Sequence, residues 1–576
     1  MPGGPGEQGR NMRYRNPVLR GFHPDPSICR VEEDFYIATS SFTYWPGVPV
    51  FHSRNLTDWS LAGHCLTRDS QVRLEERRSS RGIFAPTLRH HEGRFYMITT
   101  DVDGIGNFIV HSPSIGGPWS DPVVIDQNGI DPSLFWDEDG TCWYCGKGSL
   151  EGKRGIIAFV LDPLTGEILS DKYVISKGCG GKCAEGPHIY KRDGWYYLLT
   201  AEGGTQYSHR AVIQRSRNLI SGYEPCPHNP LLSHQEENWR VVQAVGHGDL
   251  VQDQYGNWWA VCLGIRMFGD YLLHNLGRET FLVPVVWRDG WPVMGKDGRV
   301  ELMMDSKTER MMDGPPGTER DEMCAAEPEG DGTGTAKAEE TKAEETKAEE
   351  TKSEETESEE TESEEIVREQ WELDFRADRM PGDLWYIRNP HPHCYEIGGG
   401  RLVLRGNDTG LDNATGSPAC ILREQREFVI DARSCVDLKD CGQGRFGMTA
   451  YYSSYNHYDM AVVKDETGCR LTLYKHIHDL GAVTGEIRLD REREKLWLRI
   501  RADREGYYFD YSLNSRDWTE LGRGAIAGLC TEAMMERSYT GTMVGLFAEH
   551  GQGVFEEGFL IISEWMEGEM IHGIPR

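Results

Sequence analysis

The stretch Gly129-Ile130-Asp131-Pro132-Ser133-Leu134-Phe135-Trp136 runs into the turn Asp137-Glu138-Asp139-Gly140 and then into Thr141-Cys142-Trp143. It reads as a strand opened by an Asp-Pro-Ser turn, a tight reversal, and a second strand. The same unit occurs four more times. Asp25-Pro26-Ser27-Ile28 leads to Phe35-Tyr36, and Ala85-Pro86-Thr87-Leu88 leads to Phe95-Tyr96. Glu185-Gly186-Pro187-His188-Ile189 leads to Tyr196-Tyr197, and His247-Gly248-Asp249-Leu250 leads to Trp258-Trp259. From the first residue to the second aromatic the spacing is 11, 11, 12, 12 and 12 residues, and successive second aromatics lie 60, 47, 54 and 62 residues apart. A period near fifty built from strands marks a propeller or array. Equivalent positions of different blades surround one axis. Asp25, Asp131 and Glu185 are therefore expected to meet at one end of it.

Outward from these units, Glu92-Gly93, Asp139-Gly140, Asp193-Gly194 and Tyr255-Gly256 are turn signals between first and second strands. A second repeat, His52-Ser53-Arg54-Asn55-Leu56, His111-Ser112-Pro113-Ser114-Ile115 and Arg215-Ser216-Arg217-Asn218-Leu219, reads as the ends of outer strands entering turns. Residues 281–302 add strands that help close the ring. The predicted propeller spans residues 13–315, after a disordered N-terminus over residues 1–12. Residues 316–366 read as an acidic low-complexity linker. Between Lys337 and Glu365 there are 14 Glu and 4 Lys, a net charge of −10, and no apolar period to bury. Residues 367–576 read as a second domain. Strand patterns at Arg401–Arg405, Arg445–Val463, Cys469–Tyr474, Lys495–Asp510 and Gly541–Ala548, without helical periodicity, predict a β-sandwich. The fold expectation is all-β.

At 576 residues the chain exceeds one ordinary core. Sixty-six glycines and 16 tryptophans suit turn-rich β architecture. A formal charge of −30 argues against nucleic acid or an anionic membrane surface as partner. No apolar run reaches the length of a membrane span, and the first residues lack the apolar core of a signal peptide. Fifteen cysteines are read as reduced, buried thiols in a cytoplasmic protein. Cys142 and Cys145 share a strand without a second ligand pair, so no metal ligand is assigned. Cys179 and Cys183, close before Glu185, are read as packing or pocket-rim residues.

An Asp-Pro-Ser turn alone says little, since Asp and Pro open turns everywhere. The common register says more, because Ala85 shows that the fold does not require an acid at this position. Three carboxyl groups crowded on an axis repel one another, and such groupings mark function. Two carboxyls facing a polar substrate suit glycoside hydrolysis, one protonated to assist the leaving oxygen and one ionised to activate water. A third can raise the acid's pKa by like-charge repulsion. Opposing blades leave room for water, about 6.5–9.5 Å for inversion.

His23-Pro24-Asp25-Pro26-Ser27, Gly82-Ile83-Phe84-Ala85-Pro86, Ile130-Asp131-Pro132-Ser133 and Ala184-Glu185-Gly186-Pro187-His188 together resemble glycoside hydrolase family 43, over residues 16 to about 305. The second domain resembles the C-terminal concanavalin-like jelly roll of that family's β-xylosidase branch. The resemblance implies a five-bladed propeller and inverting hydrolysis, with Asp25 as general base, Glu185 as general acid and Asp131 as modulator of the acid. It implies that Arg278, in Gly277-Arg278-Glu279-Thr280, serves the sugar subsite and that Phe42 packs against the sugar. Phe84 stands where the family often has Trp. His247 matches an axial histidine that in some members meets a calcium ion through water; the chemistry itself requires no cofactor. Tyr539-Thr540-Gly541-Thr542-Met543-Val544 resembles a loop that closes the pocket, with Met543 where Phe is frequent. Oligomers are common in the branch.

The function so implied is exo-acting release of xylose from the non-reducing ends of β-1,4-xylo-oligosaccharides. An α-L-arabinofuranosidase or a dual enzyme would use the same acids. A non-catalytic carbohydrate-binding protein is the alternative from another class.

Overall fold

The computed structural model describes residues 13–268, 273–306, 365–490, 492–534 and 538–567. The expected disordered N-terminus and the acidic linker, save its last two residues, lie outside the described residues. Those two residues open the strand Glu365–Leu373, which pairs with Gln552–Glu567. The sandwich thus begins inside the stretch assigned to the linker.

Five antiparallel sheets form the blades, and each repeat unit supplies the first two strands of one blade. The first strands are Ser27–Val31, Thr87–His91, Ile130–Trp136, Glu185–Arg192 and Val242–Gln252. They neighbour one another in a closed ring, blade I beside blade V. Two of the turns that follow have positive φ at both central residues, which explains their Glu-Gly and Asp-Gly sequences. Glu92 and Gly93 take +47° and +74°, and Asp193 and Gly194 take +51° and +71°.

The second repeat marks the ends of the third strands, Gly47–Ser53, Gly106–Ser112 and Arg210–Ser216, in the outer half of their blades. A short fourth strand follows in each blade. The serine ending each third strand accepts backbone N–H groups of the next turn, as Ser53 Oγ does from Asn55 and Leu56. Residues 279–294 form the last two strands of blade V. The ring is tied shut by Arg13–Arg15 pairing with Met303–Asp305 and by the His23 amide donating to the Arg278 carbonyl at 3.0 Å.

The second domain is a sandwich of an eight-stranded and a six-stranded antiparallel sheet. Its core alternates inward along strands such as Lys495–Ala502, where Leu496, Leu498 and Ile500 are buried. The sandwich is fixed to the propeller by backbone and charge. Tyr44–Trp45 of blade I pairs with Tyr386–Ile387. Arg266 of blade V, fully buried, donates to Glu279 (2.7 and 2.8 Å), to Glu427 (2.7 Å) and to the Arg426 carbonyl (2.6 Å). Each of these charges is paired, as burial requires. An apolar cluster with Phe22, Phe42 and Tyr44 from blade I and Trp385, Leu422 and Phe547 from the sandwich seals the joint.

Candidate active site

Asp25, Asp131 and Glu185 lie where inner strands begin, at one end of the axis. Local backbone geometry aims them there. Asp25 and Asp131 hold φ of +54° and +55°, and Gly186, beside Glu185, holds +56°. The pairing register slips between Ile130 and Ser133 and again between Glu185 and His188. Such bulges re-aim side chains next to active sites. A non-glycine residue at positive φ costs on the order of 1–3 kcal/mol, tolerated where surroundings enforce it. The Pro and Ser after each Asp explain the local fold. The ring lacks an N–H to pair, and the Ser133 hydroxyl donates across to the Pro187 carbonyl at 2.6 Å, linking blades III and IV.

The three carboxyls have different surroundings. Asp25 is buried and accepts from Arg278 Nη1 at 2.9 Å and Nη2 at 3.4 Å, and from Ser40 Oγ at 2.7 Å. His247 Nδ1 stands 3.6 Å from its Oδ1. Burial alone would raise its pKa, but Arg278, His247 and the Ser40 hydroxyl outweigh burial and hold it below the ordinary carboxylate value. Asp131 is equally buried and accepts from the Gly186 amide at 3.3 Å. Burial, reinforced by Glu185 and Asp25 and only partly offset by His247 and Lys147, pushes it up to about 7. Glu185 is half-buried and receives Lys147 Nζ at 2.7 Å. Among the three, Asp131 is thus the carboxyl whose acidity is weakened, by burial first and by its carboxylate neighbours second.

His247, from the fifth repeat unit, and Arg278, assigned through the resemblance, both stand against Asp25. Phe42 does not face an open pocket. It is 1% exposed, enclosed by Phe22, Phe84 and Tyr539, with the Arg278 guanidinium 5.7 Å from its ring centre. Phe84 is half-buried and meets Tyr539 edge-on at 5.9 Å. Met543 is fully buried in the domain joint, so the expected loop contact falls instead to Tyr539. Tyr539 stacks on Phe42 at 5.6 Å and its carbonyl accepts from Arg278 at 3.4 Å. The sandwich therefore supplies part of the pocket wall.

Sequence reasoning missed Lys147, His209 and Arg89. Lys147 lies on the second strand of blade III, where the repeat carries no chemical signal. His209 is buried, its Nδ1 facing the Ala244 carbonyl at 3.2 Å while Nε2 has no partner. Burial, with His247 nearby, lowers its pKa to about 4, so it is neutral. Arg89 fills the axis below the acids. It donates to Asp249 at 2.7 and 3.0 Å, and Asp249 also accepts from Ser27 Oγ, the Ile28 amide and Tyr190 OH. At this level the residues do not fit a calcium ion, because a guanidinium already neutralises the one acid and donors fill its oxygens.

Cys142 and Cys145 are buried free thiols, Cys179 is half-buried and Cys183 exposed. Glu202 holds the loop carrying Cys179 and Gly181 through their amides, at 2.5 and 2.9 Å, and so positions the approach to Glu185. Among the described residues no helix is long and apolar enough to cross a membrane.

Residues 14–292 match the family model described as glycosyl hydrolases family 43. Residues 372–556 match that of the β-xylosidase C-terminal concanavalin A-like domain. A Bacteroides ovatus protein named non-reducing end α-L-arabinofuranosidase is 46% identical over 284 residues, 48% of this chain and 53% of its own. The chain thus spans about half the length of that relative. A Humicola insolens protein named xylosidase/arabinosidase is 32% identical over 571 residues, covering 95% of this chain and 96% of its own. The solved structure of a xylan β-1,4-xylosidase from Bacillus halodurans superposes with a TM-score of 0.78 at 28% identity, covering 96% of this chain and all of that one.

Proposed function

The chain belongs to glycoside hydrolase family 43, and on that premise we propose that it is an inverting, exo-acting β-xylosidase releasing xylose from the non-reducing ends of β-1,4-xylo-oligosaccharides. The carrying observation is the unequal setting of three carboxyls at one end of the axis. Asp25, clamped by Arg278 and held ionised, takes a proton from water as the water oxygen bonds to the anomeric carbon. Glu185, reaching in from blade IV, gives a proton to the departing glycosidic oxygen as its bond to that carbon breaks. Asp131 between them sets the field on both. One water is consumed, and the proton lost by Glu185 is replaced from the one gained by Asp25 through solvent. The half-buried Phe84 with Tyr539 supports a narrow subsite and hence action at chain ends. Cytoplasmic action belongs to the same proposal and draws support from the free thiols.

Asp25→Asn and Glu185→Gln should each cost roughly 10²–10⁴ in turnover of xylobiose. Near-normal rates in either variant would falsify the assigned roles. Arabinofuranoside hydrolysis is the second reading, favoured by the names of both relatives above. One apolar wall contact distinguishes pentoses by only about 1–3 kcal/mol. Comparing kcat/KM for an aryl β-xyloside and an aryl α-L-arabinofuranoside decides between them.

A further inference from the structure

A second constellation lies in the sandwich, away from the acids. His457 and His476 sit directly opposite each other on paired strands, and the loop residue Asp412 reaches over both. Asp412 Oδ1 lies 2.8 Å from His457 Nε2 and 3.3 Å from His476 Nδ1, and the two nitrogens are 3.3 Å apart. Two imidazole nitrogens so placed cannot both carry hydrogens toward one another and toward the same oxygen. A tetrahedral zinc ion with ligands at about 2.0–2.2 Å needs ligand atoms roughly 3.3–3.5 Å apart. Two of the three edges already match. The third closes by movement of Asp412, the exposed member.

The surroundings resemble those of a metal site rather than a chance contact. His457 is fully buried, and its other nitrogen faces Asp459 Oδ1 at 2.9 Å, which would fix the imidazole with Nε2 turned to the ion. Asp459 is itself held by Thr449 Oγ1 at 2.7 Å and by Arg445. Tyr474 OH donates to the far oxygen of Asp412 at 3.1 Å. His476 is half-buried and Asp412 exposed, which gives an ion an entry path and leaves a fourth position for water.

We propose that Asp412, His457 and His476 bind one zinc ion, which clamps the loop over residues 406–418 onto the six-stranded sheet. That loop touches the propeller: the Gly416 amide donates to the Glu75 carbonyl at 2.7 Å, and Arg388 bridges the Gly416 carbonyl at 2.7 Å and the Arg77 carbonyl at 2.6 Å. The clamp therefore stiffens the joint between the domains.

The full chain, stripped with a chelator and dialysed, is titrated with zinc chloride by calorimetry, with bound metal counted after equilibrium dialysis. One zinc per chain is expected, with a rise in Tm of roughly 5 °C at a hundred times the dissociation constant. His476→Ala and Asp412→Ala alter a partly buried and an exposed side chain outside the sandwich core and should fold with unchanged circular dichroism. Each should weaken zinc binding at least tenfold. Failure of the wild-type chain to take up zinc at 100 μM would overturn the proposal and leave the cluster a hydrogen-bonded ion network. Zinc held equally well by both variants would overturn it too, by placing the metal elsewhere.

Discussion

Asp131 is under tension, because burial and two neighbouring carboxylates favour its neutral form. Its folded value near 7 lies above the unfolded value of about 3.9. Between about pH 4 and 7 the folded chain therefore binds more protons than the unfolded chain, so stability falls as pH rises through that window. The penalty is complete above pH 7 and amounts to a few kcal/mol at most. Asp131→Asn keeps an oxygen for the Gly186 amide and removes the penalty. Its Tm should match the wild type near pH 4 and exceed it by several degrees at pH 8, while turnover drops at least a hundredfold. Melting curves at the two pH values check this; equal Tm differences at both would contradict the placement of the shift. Lys147 holds the Glu185 carboxyl in place through an ion pair of 2.7 Å. Lys147→Met releases that carboxyl and should lower kcat/KM roughly tenfold or more on an aryl xyloside, since misplacing a reacting group costs rate.

At the scale of the strand, the acids are aimed by bulges and positive φ, and glycine is required where the backbone turns beside Glu185. Gly186 has φ +56°, and a β-carbon there would stand 2.8–3.0 Å from the His247 ring. That ring is buried and lies against Asp25. Gly186→Ala should cost about 1–2 kcal/mol of stability for the left-handed backbone and displace His247. Activity at temperatures well below the variant's Tm should still fall tenfold or more; thermal melts alongside assays separate the two effects. The repeat made this element legible. A spacing of 11 or 12 residues within each of five copies set the axial register, so Asp25, Asp131, Glu185 and His247 could be placed together. Lys147 and Arg89 escaped because their strands repeat in shape and not in chemistry. A lysine in Cys145-Gly146-Lys147-Gly148 looks like any exposed charge until the second strand is set beside Glu185.

At the scale of the whole molecule, the pocket belongs to both domains, and this is what local patterns could not display. The sequence named the 539–544 segment through a resemblance, yet which side chain it offers depends on how closely two backbones approach. Gly277 and Gly541 face each other there. A β-carbon on Gly541 would lie 2.3 Å from the Leu276 carbonyl oxygen, and one on Gly277 would lie 3.0 Å from the Gly541 α-carbon. The neighbouring Thr542 amide donates to the Asn275 carbonyl at 2.7 Å, and Arg278 donates to the Tyr539 carbonyl at 3.4 Å, so the two straps are joined on both sides of the glycines. Because the obstacle is backbone, nothing flexible can yield, and a side chain at 541 must push the two straps apart. Gly541→Val should therefore lift Tyr539 off Phe42 and loosen Arg278 from Asp25 while leaving both hydrophobic cores intact. The expected outcome is a rise in KM together with a loss of kcat, since both the Tyr539–Phe42 stack and the Arg278 clamp on Asp25 are disturbed. Steady-state kinetics on xylobiose read this directly, and intrinsic fluorescence confirms that the chain remains folded. Unchanged kcat with unchanged KM would mean that the sandwich stands beside the pocket without forming it.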